Sequence, residues 1–487
     1  MNKKLRNILL GLSIAVTASS CEKEWLDVTA NTQIEASEQF NSEDGFKDAL
    51  MGVYIGMTAP ELYSKDLTWN IVDLLSQQYE TLPIASQYDQ IQQFKYDATS
   101  SIDKLDGIWK KSYNVLANIN LALAYIDKDD SVLQDIDHSL IKGELLALRA
   151  FVHFDLLRLY GIGDLGNRNV SGEYAIPYVT QYGKEVTPQL DYIETFALLE
   201  NDIETAMELL KEDPVYPNSS RDENYFTEAN RNGFYNHREQ RLNYYAVKAL
   251  QARVLQWQGG EKLQAAAMVA EEVINESFTS LIASENYPVS SDPIFYPEIL
   301  FGLNVEGFAN IVNPQLNAES STNYDALYYT QERATDVFET DSVNIGLADV
   351  RFNTLLQSQS RGLINIKLLQ STDSRNIMPL IKLPEMYYIA AEYHLEKGNV
   401  GTAVNYINTV RSSRGIIQQI PENSEVEQVR EELMKEYRKE FLMEGQLFFF
   451  YKRKGLSNIP GLSDDTVVDD DIYVLPYPDN EVEFGNR

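Results

Sequence analysis

The sequence predicts a mostly α-helical protein, in which a tetratricopeptide-like helical-repeat scaffold carries an irregular, loop-rich subdomain with a few short strands. Three observations lead to this prediction. Residues 139–161 place apolar side chains over most of a helix circumference. Two later segments show the pattern of paired helices joined by a glycine turn. Two long segments without helical periodicity are rich in proline, asparagine and aromatic residues.

Residues 139–161 are expected to form a helix that is buried among other helices, because its apolar positions cover most of its circumference. Polar residues at such depth need partners, so we expect Asp155 and Arg158, one turn apart, to pair. Gly161 follows the last helical residue, a position where glycine commonly ends a helix. The apolar positions include Leu140, Ile141, Leu145, Leu148, Val152, Leu156 and Leu159.

Two more helices are expected before this stretch. Ser42 is a candidate N-cap for a helix whose apolar face contains Phe46 and Leu50. From Ile102 onwards, Trp109 and its apolar neighbours fit an amphipathic helix that would pair with residues 139–161.

Helix pairs are predicted from small residues that flank glycine turns. Ala391 and Ala403 lie on either side of a turn at Gly398, and Ala252 and Ala265 on either side of Gly259 and Gly260. Small residues at such positions let two helices approach closely, as in tetratricopeptide repeats. We expect repeat pairs at about 102–161, 190–276 and 382–455, with residues 190–210 as the partner of the helix that begins near Tyr244. Ordinary helical hairpins would explain the packing equally well.

The irregular segments are residues 59–101 and 277–375. Their aromatic content argues against disorder, and long irregular segments in compact proteins often carry function. Short strands are expected near residues 298–303 and 362–368.

Composition and charge narrow the classes of function. The 487 residues carry a formal net charge of −32, which argues against nucleic acid or an anionic lipid surface as the main partner. The four histidines are dispersed, and His153 and His394 fall in predicted packed helices, so we expect core histidines and no metal or other cofactor. Metalloprotease, phosphate-loop and dinucleotide-binding motifs are absent from the sequence.

The first 20 residues have the pattern of a secretory signal. Lys3, Lys4 and Arg6 precede an apolar run, residues 8–16, that is too short to span a bilayer. Small residues then lead to Cys21, the only cysteine in the chain. Its position resembles the acceptor site of a bacterial lipoprotein. We therefore expect Cys21 to carry acyl chains and residues 21–38 to form a tether.

Several strings resemble the signatures of the SusD/RagB family of outer-membrane lipoproteins, and they follow one another in the family's order. The strings are QFNSEDGFKDALMGVY, LLALRAFVHFDLLRLYG, IKLPEMYYIAAEYHLEKGN with INTVRSSRG, EYRKEFLMEGQLFFFYKRKG and LPYPDNEVEFGN. In the third, Asn408, Arg411 and Arg414 hold the family's positions. The last contains Pro476, Pro478, Glu481 and Asn486 at matching places.

The resemblance implies a SusD-like domain over residues 39–487, lipid-anchored to the outer membrane and facing the cell exterior. Members of the family capture nutrients, mostly glycans, for a TonB-dependent transporter. The expected partners are therefore an oligosaccharide or another nutrient ligand and a SusC-like transporter, with no role for nucleic acid. The implied function is binding without catalysis.

Two other functions stay open at this point. A glycosidase needs only a pair of carboxylates at a suitable separation, and the chain has 73 acidic residues, so a surface-anchored glycoside hydrolase is one alternative. A helical-repeat scaffold that binds another protein is the other.

Ligand contacts are expected in the irregular segments, at residues 59–101 and 284–329. Flat rings stack on the apolar faces of sugars, and amide groups bind sugar hydroxyls. Loops held on a rigid scaffold can expose such groups, whereas packing inside the subdomain is the alternative for any single ring. The candidates are Trp69, Asn70, Tyr79, Tyr88, Tyr296, Asn323, Tyr324 and Tyr328.

Overall fold

A computed structural model describes residues 36–217, 223–370, 376–463 and 465–485. Cys21, the predicted signal, Asn486 and most of the predicted tether lie outside the described residues. Within that part of the chain, no helix combines the length and the apolar character that crossing a membrane requires.

The first half of the described chain is helical apart from long connections. Its helices are α1 (Ala36–Gln39), α2 (Glu43–Met57), α3 (Ile71–Leu75), α4 (Asp89–Gln92), α5 (Thr99–Ile126), α6 (Asp135–Tyr160), α7 (Tyr192–Leu209), α8 (Glu223–Ala229), α9 (Tyr244–Gln258) and α10 (Leu263–Glu276).

The second half adds four short strands and further helices. In chain order they are β1 (Ile299–Asn304), α11 (Phe308–Val312), α12 (Gln331–Phe338), α13 (Val350–Asn353), β2 (Leu356–Gln359), β3 (Gly362–Asn365), β4 (Ile377–Lys382), α14 (Leu383–Glu396), α15 (Val400–Ser413), α16 (Val426–Glu440), α17 (Gln446–Arg453), α18 (Asp470–Tyr473) and α19 (Asp479–Phe484). The mostly helical class with few strands is therefore as predicted.

Helix α6 lies in the core, as the apolar pattern of residues 139–161 indicates. Phe151 packs edge-on against Phe301 of β1, with ring centroids 5.5 Å apart. Arg158 donates from Nε to Asp155 Oδ1 at 3.1 Å, which confirms the predicted pair. Ser42 also caps α2 as predicted, because its hydroxyl accepts from the backbone N–H three residues on, at 3.2 Å.

The two histidines of the packed helices have polar partners inside the protein. His153 is fully buried, and the backbone N–H of Val179 donates to its Nε2 at 2.9 Å. Burial lowers the pKa of His153 to about 3, so the ring is neutral at pH 7. His394 is half-buried, with its Nε2 3.0 Å from Glu271 Oε1.

The long helices pack in a continuous row. Helix α6 packs against α5 and α7, α9 against α10, α10 against α14, and α14 against α15. Helix α7, which the sequence pairs with the Tyr244 helix, does contact that helix (α9), although it packs chiefly on α6. The buried side chains of α6 cover most of its circumference, so α6 packs against α5 on one side and against α7 on another.

Three of the four predicted small contact residues, Ala252, Ala391 and Ala403, are buried. Ala265 is exposed, and Ala266 is buried in its place. The turn before α10 contains a short 3-10 segment, Gly260–Lys262, which changes the alanine that faces the neighbouring helix.

The strands form two separate antiparallel pairs. β1 pairs with β4, which leads directly into α14, and β2 pairs with β3 as a hairpin. Gln359 lies opposite Gly362, so the hairpin turn consists of Ser360 and Arg361. Strands at about 298–303 and 362–368 were predicted, and β1 and β3 confirm both.

Residues 59–101 pack closely onto the C-terminal helices. Gly445 has a φ of 69°, a conformation that favours glycine. A Cβ atom there would lie 2.8 Å from the carbonyl oxygen of Thr68. Glycine is therefore required where this segment meets the start of α17.

A buried ion cluster joins the irregular subdomain to the helices. Arg414 Nη2 lies 2.6 Å from Glu298 Oε2 and 2.8 Å from Glu440 Oε1, and Lys382 Nζ lies 2.9 Å from Glu440 Oε1. Burial disfavours the charge on Glu440, but Arg414 and Lys382 outweigh burial and hold its pKa well below the usual range. The cluster thus ties the residues before β1 to the ends of β4, α15 and α16.

Candidate functional site

The two irregular segments meet at one place, which we call the loop junction (residues 79–89 and 323–328). Asp325 Oδ1 accepts from the Ser86 hydroxyl at 2.7 Å and from the Gln87 backbone N–H at 3.0 Å. Asp325 Oδ2 accepts from Gln87 Nε2 at 2.8 Å. The backbone N–H of Glu80 donates to the carbonyl of Tyr328 at 2.9 Å. Segments more than 200 positions apart in sequence therefore form one surface.

Local turns shape each side of the loop junction. After Pro83, the Ser86 N–H donates to the Pro83 carbonyl at 2.8 Å, and the Ser86 hydroxyl accepts from the next-but-one N–H, that of Tyr88, at 3.0 Å. On the other side, Asn323 Nδ2 donates to the carbonyls of Pro314 at 2.6 Å and Asn317 at 2.9 Å. Asn323 therefore holds its own loop in shape.

Apolar and aromatic side chains reach solvent at the loop junction. Tyr324 is 44% exposed and Ile84 is 90% exposed. Tyr328 is half-buried, and the guanidinium carbon of Arg361 lies 4.6 Å from the centre of its ring. Arg361 also donates from Nη1 to the carbonyl of Asn323 at 2.6 Å, so its position on the hairpin turn is fixed.

Behind this surface, two ammonium groups lie close to the ring of Tyr88. Lys65 Nζ and Lys104 Nζ lie 4.9 Å and 4.4 Å from the ring centre, and Lys104 Nζ also donates to Gln87 Oε1 at 3.3 Å. Burial raises the pKa of Tyr88 well above its usual range and lowers that of Lys104. Only 3% of Tyr88 is exposed, so it supports the surface from beneath.

Asp66 is a buried carboxyl group in the same region. Burial raises its pKa to about 6, although the charges of Lys65 and Lys104 act in the opposite direction. Its Oδ1 atom has no hydrogen-bond partner among the described residues. A carboxyl group of this kind is partly protonated near pH 6.

Trp69, Asn70 and Tyr79 are part of the core, which contradicts their prediction as ligand contacts. Trp69 and Asn70 are fully buried, and Trp69 Nε1 donates to the carbonyl of Ser64 at 2.7 Å. Tyr79 donates its hydroxyl proton to Asp73 Oδ2 at 2.7 Å. A ring without an exposed face cannot stack on a sugar, so these aromatic residues serve packing.

Tyr296 lies apart from the loop junction. Its hydroxyl donates to Glu239 and accepts from Gln240 Nε2 at 3.2 Å, so it contacts the segment before α9. Of the eight predicted ligand residues, the structure brings Tyr88, Asn323, Tyr324 and Tyr328 together.

Sequence reasoning missed Ile84, Asp325, Gln87 and Arg361. The turn of which Arg361 is part has a visible signal, because Gly362 ends a short polar break between two strand-like runs. The exposure of Ile84 and the contacts of Asp325 arise from tertiary packing, and the sequence carries no pattern for them. Across the described ranges, no group of three or more histidine, cysteine or acidic residues is arranged to hold a metal ion.

Two family profiles match the sequence. The profile described as "Starch-binding associating with outer membrane" (SusD-like) matches residues 24–226, and the profile of the SusD family matches residues 364–482. Together these segments cover more than half of the chain. A comparison with curated proteins gives no match.

Solved structures from Bacteroides have the same fold. A SusD superfamily protein from Bacteroides thetaiotaomicron is 21% identical, with 91% of this chain and 98% of that chain covered and a TM-score of 0.72. A SusD-like carbohydrate binding protein from Bacteroides vulgatus is 18% identical, with 92% and 97% covered and a TM-score of 0.69. A SusD superfamily protein from the same species is 18% identical, with 92% and 98% covered and a TM-score of 0.68.

Proposed function

Because the chain belongs to the SusD/RagB family, we propose that it captures oligosaccharide at the surface of the outer membrane and delivers it to a TonB-dependent transporter. The observation that carries the proposal is the loop junction, where Tyr324 and Tyr328 lie beside polar groups on a rigid helical support. The words "starch-binding" and "carbohydrate binding" in the descriptions of its relatives support the same ligand class.

The chemistry of the loop junction suits a sugar. Tyr324 offers an exposed ring for the apolar C–H face of a pyranose, and Ile84 adds an apolar contact. Gln87 and Arg361 supply N–H donors, and Asp325 supplies acceptor oxygens, at the edge of these faces. Because Arg361 and Asp325 are already held by the protein, little side-chain entropy is lost when they bind a ligand.

A gel experiment tests the ligand class. The purified protein is run through native gels that contain starch, dextran, β-glucan, xylan, galactan or mannan, with bovine albumin as the control. We expect at least one polysaccharide to retard the protein, and a fragment of that polysaccharide to bind in calorimetry. Failure of all the polysaccharides to retard it would refute glycan capture and would favour a scaffold that binds only protein.

A glycoside hydrolase is the second candidate, and Asp66 is the specific observation in its favour. A general acid for glycoside cleavage needs a raised pKa, and that of Asp66 is about 6 beside the loop junction. The buried position of its carboxyl group favours binding without catalysis. Release of reducing ends from the bound polysaccharide, lost in Asp66→Asn, would establish the hydrolase instead.

Delivery requires an anchor and a channel. We propose that Cys21 is acylated and holds the protein on the outer membrane, with the domain facing the cell exterior. The chain between Cys21 and α1 then acts as a tether of at most roughly 3.5 Å per residue. The continuous helical row offers a broad, rigid face for a SusC-like transporter, and a durable complex would bury roughly 2,000 Å² or more.

Copurification tests the transporter contact. Tagged protein extracted in mild detergent at native expression is expected to bring a TonB-dependent barrel with it. Recovery of the lipoprotein alone under these conditions would refute the partnership while leaving glycan binding intact.

A further inference from the structure

A cleft that is distinct from the loop junction lies at the C-terminal end of the described chain. We call it the C-terminal cleft. It has a volume of about 370 Å³ and lies between α5, residues 177–187 and α19. Pockets for small ligands begin at roughly 300 Å³, so it is large enough for a short saccharide.

The floor of the C-terminal cleft is aromatic and held in place. Trp109 packs against Tyr113 with ring centroids 4.7 Å apart, and against Tyr477 with centroids 5.1 Å apart. Tyr113 donates its hydroxyl proton to the carbonyl of Pro177 at 2.9 Å. These contacts fix the floor before any ligand arrives, which lowers the entropic cost of binding.

The mouth of the C-terminal cleft exposes two aromatic rings. Tyr182 is 58% exposed and Phe484 is 66% exposed, and both line the cleft. They come from different elements, the connection after Val179 and helix α19, so the cleft has aromatic side chains on two sides. At the loop junction, by comparison, Tyr88 is buried, Tyr328 is half-buried and Tyr324 is exposed.

Polar groups complete the lining. Gln181 and Asn480 supply amides, and the charged side chains of the lining are Lys184, Glu185 and Glu481. A neighbouring groove of about 660 Å³ is strongly acidic, because its lining includes the carboxylates of Asp97, Asp106, Asp470, Asp471 and Asp479. Because these carboxylates lie next to the C-terminal cleft, they would repel an anionic glycan that approaches it. The C-terminal cleft therefore suits a neutral ligand.

We propose that the C-terminal cleft is a second carbohydrate-binding site, specific for neutral oligosaccharide, in which Tyr182 and Phe484 stack on sugar rings. The ligand class rests on the proposed function, whereas the place of the site rests on the cleft itself. The chain therefore holds a long glycan at two points, and binding at two points increases the apparent affinity for polymers over short fragments.

The test compares variants at the two sites with the polysaccharide that retards the parent most and with its fragments. Tyr182→Ala, Phe484→Ala and the double variant probe the C-terminal cleft, and Tyr324→Ala probes the loop junction. Phe278→Ala is the matched control, because Phe278 is an exposed ring, at 47%, beyond the end of α10. Calorimetry gives the affinity and the number of sites, and thermal unfolding checks that each variant is folded.

We expect two sites in the parent and one in the double cleft variant. Each cleft ring should contribute roughly 5- to 150-fold in affinity at its own site, by analogy with aromatic stacking on nucleic-acid bases. Phe278→Ala should bind as the parent does. Retardation by the polymer should weaken in the cleft variants while the loop-junction site still binds fragments.

Three results would overturn the inference. If the cleft variants keep the parent's affinity and number of sites while Tyr324→Ala loses binding, only the C-terminal cleft assignment fails. If no glycan binds the parent, the proposed function fails as well. If the cleft variants bind glycan normally but no longer bring down the transporter, the C-terminal cleft is a protein contact.

Discussion

Arg414 and Glu440 form an ion pair in which neither side chain has any exposed surface, with Nη2 and Oε1 2.8 Å apart. Arg414→Leu would leave Glu440 and Glu298 buried with less compensation for their charge. We expect the free energy of unfolding to fall by about 3–5 kcal/mol, as measured by urea denaturation.

The matched control for that change is Arg430→Leu. Arg430 pairs with Glu396 at 2.8 Å, but about a third of each side chain is exposed. Because solvent screens such a pair, its loss should cost less than ~1 kcal/mol. Equal losses in the two variants would contradict a special role for the buried ion cluster.

Exposed and buried rings in the irregular segments should respond differently to substitution. Tyr324→Ala removes an exposed ring, so affinity for the best-binding glycan should fall by about 1–3 kcal/mol with nearly unchanged melting temperature. Trp69→Ala leaves a cavity in the core, and the free energy of unfolding should fall by about 3–5 kcal/mol. Calorimetry and thermal unfolding of both variants distinguish the two effects. A Tyr324→Ala variant that binds as tightly as the parent would remove this ring from the site.

Asp325 should hold the loop junction together. Asp325→Ala removes acceptors for the Ser86 hydroxyl and for two N–H groups of Gln87. At about 1 kcal/mol for each lost hydrogen bond, the loops should separate more readily and glycan affinity should fall about tenfold or more. Limited proteolysis near residues 80–90 should become faster.

Asp129 provides the control for Asp325. It accepts hydrogen bonds from the backbone N–H and the hydroxyl of Ser131 within its own turn, on an exposed surface after α5. Asp129→Ala should leave affinity and proteolysis at residues 80–90 unchanged. Equal effects of both substitutions would show that the loop junction does not depend on Asp325.

Asp73 should make stability fall as the pH rises. Burial raises its pKa to about 7, while in the unfolded chain an aspartate titrates near pH ~4. Between these values the folded chain holds a proton that the unfolded chain has lost. The unfolding free energy contributed by this group therefore decreases with rising pH, by at most about 1.4 kcal/mol per pH unit, and is constant above pH 7.

Urea unfolding at several pH values, between 4 and 8, measures this contribution in comparison with Asp73→Asn. The unfolding free energy of the parent minus that of Asp73→Asn should decrease as the pH rises from 4 to 7. The unfolding free energy of Asp103→Asn, a change at an exposed position on α5, should depend on pH as that of the parent does. If the unfolding free energy of Asp73→Asn also has the same pH dependence as that of the parent, the role of Asp73 is contradicted.

Cys21→Ala should move the protein from the membrane to the soluble fraction. Acyl chains contribute about 0.8 kcal/mol per buried CH₂ group, so their loss removes the main membrane affinity. Fractionation with immunoblotting measures the distribution, and glycan retardation of the released protein checks that the domain is intact. Continued membrane association of folded Cys21→Ala would show that the anchor lies elsewhere.

The sequence predicted the helical part of the fold well because its signals are local. The apolar periodicity of residues 139–161 corresponds to α6, the cap at Ser42 begins α2, and the spacing of Asp155 and Arg158 within one turn produces their pair. The prediction of Ala265 as a buried contact residue was wrong by one position, because periodicity does not reveal a 3-10 turn before α10.

The candidate ligand residues were predicted less well, for a physical reason. Composition shows that a segment is rich in aromatic residues, but whether each ring faces the core or the solvent depends on residues that are distant in sequence. Trp69 is buried and donates to the carbonyl of Ser64, whereas Tyr324 is exposed next to Asp325, which binds Ser86 and Gln87. The C-terminal cleft was missed because its floor and mouth come from three separate parts of the chain.

The β2–β3 hairpin makes this protein a suitable starting point for an engineered sugar sensor. Its ladder fixes the register from Leu356 to Asn365, so the two turn residues can be exchanged without shifting the strands. Arg361 in that turn contacts Tyr328, so a reporter dye attached at Ser360 would lie next to the loop junction. Variation of the turn could then retune the selectivity of the sensor while the buried ion cluster keeps the support unchanged.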